Sequence, residues 1–119
     1  MILEASMSDI EFDYEQVVMS IIVNAGQSRS CAFSAIQAAK SGDFAQAKLL
    51  LVDAENSLRE AHQVQTYLIG QDEGQGKVPV HLIMVHAQDH LMNAILTKEI
   101  AGELIDVHQQ LSALKERSV

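Results

Sequence analysis

His86, Asp89 and His90 are the residues of this chain best suited to chemistry. They lie in the stretch Val85-His-Ala-Gln-Asp-His-Leu-Met92 and stand at i, i+3 and i+4. On a helix that spacing puts all three on one face. Leu82, Val85, Met92, Leu96 and Ile100 fall on the same stripe, so the three ionisable groups interrupt an otherwise apolar surface. A neutral imidazole is a nitrogen nucleophile near neutral pH, because its reference pKa is about 6.5. In a shielded cleft His86 could accept a phosphoryl group and pass it on. The spacing His-x-x-Asp-His is also compatible with the inverted zinc-hydrolase pattern, in which two histidines bind metal and the acid is the base. That chemistry needs a third ligand and a substrate cleft, which a small helical chain is poorly placed to supply. The plainest alternative leaves both histidines as hydrogen-bonded helix residues and pairs Asp89 with a lysine.

Asp89 occupies a core position of the heptad, where an unpaired carboxylate is very unfavourable. If several copies of the chain place Asp89 about one symmetry axis, the charges need a shared proton or a cation. Three carboxylates completed by water suit a hard ion such as magnesium. The spacing leaves dimer and trimer equally open.

Three long amphipathic segments position these groups. The first is expected from about residue 14 to Lys40, with Asp13 as its cap and residues 1–12 as a loose lead-in. Its apolar positions include Val17, Val18, Ile21, Ile22, Ala25, Ala32, Phe33, Ile36 and Ala39. Asn24-Ala-Gly-Gln-Ser-Arg-Ser30 interrupts that face. Gly26 costs roughly 1 kcal/mol against alanine in a helix interior. Close packing against a neighbouring helix is the expected reason for it, and a face turned to a site shared with another chain is the alternative. Lys40-Ser-Gly-Asp43 reads as a stop and restart, with Gly42 ending one helix and Asp43 capping the next. The second helix is expected from about Phe44 to Ile69, on the seam Phe44, Ala47, Leu51, Ala54, Leu58, Ala61, Gln65, Leu68. His62 lies near its polar end, as a half-exposed helix histidine or a supporting contact.

Gly70-Gln-Asp-Glu-Gly-Gln-Gly-Lys77 is a flexible connector without the ending of a phosphate-cradling loop. Pro79 fits the first turn of the third helix, which is expected to reach Leu114 or Glu116. Its predicted seam is Leu82, Val85, Asp89, Met92, Leu96, Ile100, Leu104, Val107, Leu111 and Leu114. Together these segments predict an all-α, antiparallel three-helix bundle with one domain over residues 13–116. Three such helices bury only part of their apolar faces, so self-association is expected.

Composition narrows the functional class. A net charge of −8 over 119 residues disfavours nucleic acid and anionic membrane surfaces and favours a basic partner. No apolar run approaches the roughly 18 residues of a membrane span, so no direct membrane insertion is expected. The N-terminus lacks the basic start and apolar run of a signal peptide, and a cytoplasmic, reducing setting is expected. Cys31, the single cysteine, reads as a small core residue.

Three blocks in order carry a resemblance. Ile22-Val-Asn-Ala-Gly-Gln-Ser-Arg-Ser30, Glu60-Ala-His-Gln-Val-Gln-Thr66 and Val85-His-Ala-Gln-Asp-His-Leu-Met92 resemble the lactose/cellobiose-class enzyme IIA of the bacterial phosphoenolpyruvate-dependent sugar phosphotransferase system. The likeness covers roughly residues 15 to 114. It implies a three-helix bundle that forms a homotrimer. It implies that His86 accepts a phosphoryl group from HPr as a tele-phosphohistidine and donates it to a cysteine of the cognate enzyme IIB. A disaccharide of lactose or cellobiose type would then be phosphorylated on entry through the membrane component. It further implies one Mg2+ per trimer, shared by Asp89 of three chains, with Gln88 and His90 in supporting roles. A non-catalytic helical interaction or regulatory module is the alternative.

Overall fold

The computed structural model describes the backbone of residues 7–117 and the side chains of residues 14–117. Among the described residues, the regular elements are three α-helices: α1 (Met7–Lys40), α2 (Phe44–Asp72) and α3 (Leu82–Arg117). At 1.5 Å per residue α3 is about 54 Å long. α1 runs alongside α3 and antiparallel to α2. It packs more extensively on each of them than they pack on one another.

The connections follow from side-chain chemistry. Gly42 takes φ +86°, a left-handed value that its lack of a Cβ permits. Asp43 then caps α2, its carboxylate accepting from the Gln46 N–H at 3.1 Å. At the other end of α2, Glu73 adopts φ 52° and donates its N–H to the Gly70 carbonyl. The Asp72 carboxylate accepts from the N–H groups of Gly76 at 3.2 Å and Val78 at 2.9 Å, which orders the connector.

Three expectations are corrected. α1 extends back to Met7, so Asp13 lies within the helix and does not cap it; residues 1–6 of the expected lead-in lie outside the described residues. Residues 7–13 lack an apolar period but hold no glycine or proline, so continuing the helix costs little. Pro79 lies three residues ahead of α3, not in its first turn. The third correction concerns which stripe of α3 faces inward. Met84, Ala87, Leu91, Ala94, Ala101 and Ile105 are buried, whereas the predicted seam points outward, with Val85 54%, Met92 59% and Leu96 54% exposed. α3 carries two apolar stripes, and the smaller residues pack within the bundle.

The same preference runs through the interior. Ile21 and Leu91 are fully buried large side chains in one cluster, and further along the bundle Ala32, Ala54 and Ala101 meet directly. Alanines at these contacts let the helices approach closely. α2 keeps its predicted seam, with Ala47, Ala54, Leu58, Ala61 and Leu68 buried. On α1, Val18, Ile21, Ala25, Ala32 and Ala39 are buried, but Phe33 is exposed. Ser28 is fully buried and donates its hydroxyl to the Ala54 carbonyl at 2.7 Å. That bond satisfies the one buried polar residue among the described ones and pins α1 to the middle of α2.

Candidate functional site

The site begins one turn into α3. Ala87 is buried, and this turns His86 to the outside. His90, one helical turn on, is half-buried beside it. Their Nε2 atoms lie 3.0 Å apart, and the rings meet edge to face with centroids separated by 4.4 Å. One imidazole must donate and the other accept, so the contact fixes complementary tautomers. Asp89 is exposed on the outer seam between Val85 and Met92. Among the described residues it makes no hydrogen bond or ion pair.

Gln88 points the other way. Its carbonyl accepts from the Gln65 amide of α2, and its own amide lies 3.7 Å from Met84 Sδ. It is tied to the α2–α3 contact and away from the histidine pair. His62 is exposed on α2, where its backbone carbonyl accepts from Thr66 Oγ1 at 2.9 Å. The structure therefore joins His86 and His90 directly, places Asp89 on the adjoining outer surface, and leaves Gln88 and His62 apart from them. Cys31 is half-buried, with Gln27 Nε2 3.6 Å from its sulfur, beside the Ala32, Ala54 and Ala101 cluster.

Two features were not anticipated. A groove of about 570 Å3 opens between α1 and α3, with His90 on one side and Gly26, Arg29, Ser30, Phe33 and Gln37 of α1 on the other. A Cβ added at Gly26 would meet nothing within 4 Å. Close packing within the chain therefore does not explain this glycine, contrary to the first expectation. The pairing of Arg29 with Phe33 at i, i+4 was the available signal for the groove: the guanidinium carbon lies 5.5 Å from the Phe33 ring centre. The second feature is a clasp at the entry to α3. Tyr14 donates its hydroxyl to the Pro79 carbonyl at 2.6 Å and accepts from the His81 N–H at 3.3 Å. Its ring meets the edge of the His81 ring at 5.5 Å.

Farther along α3, Lys98 Nζ sits 2.6 Å from Glu55 Oε2 of α2. The hydrogen bond from Lys98 lowers the Glu55 carboxyl below its ordinary value, partial burial opposes it, and the charges of Lys98 and Arg59 add to it. Among the described residues, no three His, Cys, Asp or Glu side chains of one chain converge as a metal-ligand set. No described helix is long and apolar enough to cross a membrane.

Comparison with known proteins places this geometry. Residues 16–109 match the family described as "PTS system, Lactose/Cellobiose specific IIA subunit". The chain is 50% identical over 101 residues to the N,N'-diacetylchitobiose-specific EIIA component of Escherichia coli K12, covering 85% of this chain and 87% of that one. The crystal structure of the cellobiose-specific enzyme IIA from Bacillus anthracis superposes with a TM-score of 0.81 at 43% identity, covering 84% of this chain and 92% of that chain. The IIA component in the solution structure of the Escherichia coli IIA(chitobiose)–HPr complex superposes with a TM-score of 0.74 at 49% identity, over 83% and 96% of the two chains. The chain belongs to the lactose/cellobiose-specific IIA family of the sugar phosphotransferase system.

Proposed function

From this membership we propose that His86 is the phosphoryl carrier of the chain, loaded by phospho-HPr and unloaded onto a cysteine of the cognate enzyme IIB. The observation that carries the reading is the exposed imidazole of His86 with its Nε2 held 3.0 Å from His90 Nε2. In the reactive tautomer His86 keeps its proton on Nδ1, and its Nε2 lone pair accepts from His90. When a phosphoryl group arrives, that lone pair attacks phosphorus, and the bond from phosphorus to the donor's imidazole nitrogen breaks. The electron pair of the broken bond stays on the donor nitrogen. A donor ring protonated on its other nitrogen leaves as neutral imidazole, and His86 becomes the phosphoimidazolium, so no proton need be exchanged with water. The His90 N–H, released from Nε2, is then free to donate to a phosphoryl oxygen, which is the supporting role. Transfer to the enzyme IIB cysteine repeats the displacement with a thiolate as nucleophile. The cargo is a disaccharide of lactose or cellobiose type, taken up and phosphorylated by the other components of the system.

The outer seam of α3 suits a homotrimer. Leu96, Ile100, Leu104 and Val107, with Glu99 and Glu103 along them, line a mostly apolar trough that one chain leaves open. Three copies packed on it would bury these residues and bring three Asp89 carboxylates together. Among the described residues the Asp89 carboxylate has no partner in its own chain, and oxygen donors of this kind suit a hard cation. Asp89 of three chains would then hold one Mg2+, whose contribution is to neutralise carboxylate repulsion at the seam. Asp89→Leu is expected to leave an assembly whose thermal midpoint no longer responds to EDTA. An unaltered EDTA response in that variant would remove Asp89 from the metal site.

Phosphoryl transfer is tested by mixing the purified protein with phosphoenolpyruvate, enzyme I and HPr, and reading acid-labile phosphate by intact mass. Wild type is expected to gain one phosphate and a folded His86→Ala variant none. Labelling of both would shift the carrier role to another histidine, with His90 first. Labelling of neither folded protein would favour the non-catalytic interaction module.

A further inference from the structure

We propose that Arg29 of α1 is a catalytic residue that binds the phosphoryl group at the histidine pair, from the groove between α1 and α3. The proposal rests on the phosphocarrier reading and adds to it a second cation with several hydrogen-bond donors. The phosphoryl group brings up to two negative charges to His86, in a chain with 16 acidic and 8 basic residues. The phosphoimidazolium formed on His86 offsets one of these charges, and the neutral His90 ring supplies a single donor.

The groove differs from the rest of the molecule in its chemistry. No aspartate or glutamate lines it. Arg29, the hydroxyls of Ser30 and Ser34 and the Gln37 amide place hydrogen-bond donors along α1, facing His90 across the opening. Among the described residues the ion pairs are Lys77 with Glu73 and Lys98 with Glu55, so Arg29 makes none. Its guanidinium rests against the exposed Phe33 ring at 5.5 Å. That contact holds a flexible side chain in place without consuming its charge or its hydrogen-bond donors. An arginine kept unpaired in an acidic protein, beside the residue that touches the nucleophile, fits a multidentate oxyanion better than it fits a carboxylate-free resting state.

Gly26 has space where a side chain would fit, and the cost of a mid-helix glycine has no return within the chain. The glycine keeps the α1 wall low at the level of His90. His90 lines the groove and touches His86, so on this proposal the guanidinium extends through the groove to a phosphoryl group carried beside His90. The transfer step is the one written above: Arg29 forms and breaks no covalent bond. It donates N–H hydrogen bonds to the phosphoryl oxygens as their charge passes between the two nitrogens.

The test is single-turnover transfer from 32P-labelled phospho-HPr, across a range of donor concentrations, to wild type, Arg29→Gln, Arg29→Lys and Arg59→Gln. Arg59 is exposed on α2 and serves as a charge-matched control. Arg29→Gln is expected to lower the saturating rate at least tenfold, Arg29→Lys to recover part of it, and Arg59→Gln to match wild type. Equal saturating rates for wild type and Arg29→Gln would overturn the proposal, as would an equal loss in Arg59→Gln, which would reduce the effect to bulk charge. A loss in Arg29→Gln that tracks a lower sedimentation coefficient would make Arg29 a subunit contact and also overturn it. Wild type that takes up no label would overturn the phosphocarrier reading itself, a result distinct from all of these.

Discussion

The two faces of α3 divide its residues by size. Inside the bundle lie Ala87, Ala94 and Ala101 with Met84, Leu91 and Ile105; outside lie Val85, Met92, Leu96, Ile100, Leu104 and Val107. Three of the six inner residues are alanines, whereas the outer face carries none and leaves six larger apolar side chains in solvent, which hydrophobicity alone would not assign to a surface. Helices that approach closely accept only small residues at the contact, so a bundle poor in buried leucine is still dense. On the proposed homotrimer, the long residues outside would serve a different contact, between chains. Asp89 belongs to that second face, whereas His86 and His90 sit on the border between the two.

The sharpest way to break this comparison is to disrupt each face separately, by a cavity inside and a charge outside. Leu91→Ala removes a fully buried side chain and is expected to cost about 2–5 kcal/mol in chemical denaturation. Its counterpart, Ile100→Asp on the outer face, is expected to keep the helical circular dichroism while raising the dissociation constant of the assembly at least tenfold, or about 1.4 kcal/mol. Sedimentation velocity over a dilution series reads that change. If Ile100→Asp unfolded the chain while leaving its assembly intact, the two faces would not have separate duties.

A smaller effect comes from the one ion pair that crosses between α2 and α3 among the described residues. Lys98 lowers the folded-state pKa of Glu55, so the stabilisation is present above the carboxylate's unfolded value and is lost as pH falls through the lowered folded one. Both side chains are partly exposed, and solvent screening limits the effect to less than about 1 kcal/mol. Glu55→Gln is expected to lower the neutral plateau of the thermal midpoint slightly, for a loss of less than about 1 kcal/mol, and to converge on wild type in acid, which flattens the acid limb.

Much of this architecture was legible in the sequence, and the failures have a physical pattern. The helix periods, the Gly42 and Asp43 break and the α2 seam follow from local rules that act within a turn or two. The inward face of α3 was missed because alanine contributes little to an apolar stripe by eye, although it controls how near two helices can come. Phe33 was placed in the core for the same reason: its size suggested burial, but the α1 contacts go to Ala32 and Ala35 on either side of it. The nucleophile candidate and the seam carboxylate were legible from ionisable groups at helical spacing. The direct contact of His86 with His90 needed rotamers, and the separation of Gln88 from them needed its partner Gln65 on another helix. The groove needed two helices set side by side, which no local pattern encodes.

The Tyr14 clasp bears on the order in which the protein is made. Tyr14 emerges from the ribosome early, and its partners at Pro79 and His81 follow 65 and 67 residues later. A chain synthesised from its N-terminus can pair α1 with α2 while α3 is still being added. The clasp closes only once residue 81 is free, and His86 is just five residues beyond it. A nascent chain therefore carries the α1 wall of the groove before the α3 residues that complete it, and His86 and His90 are added after the two helices they pack beside have been synthesised.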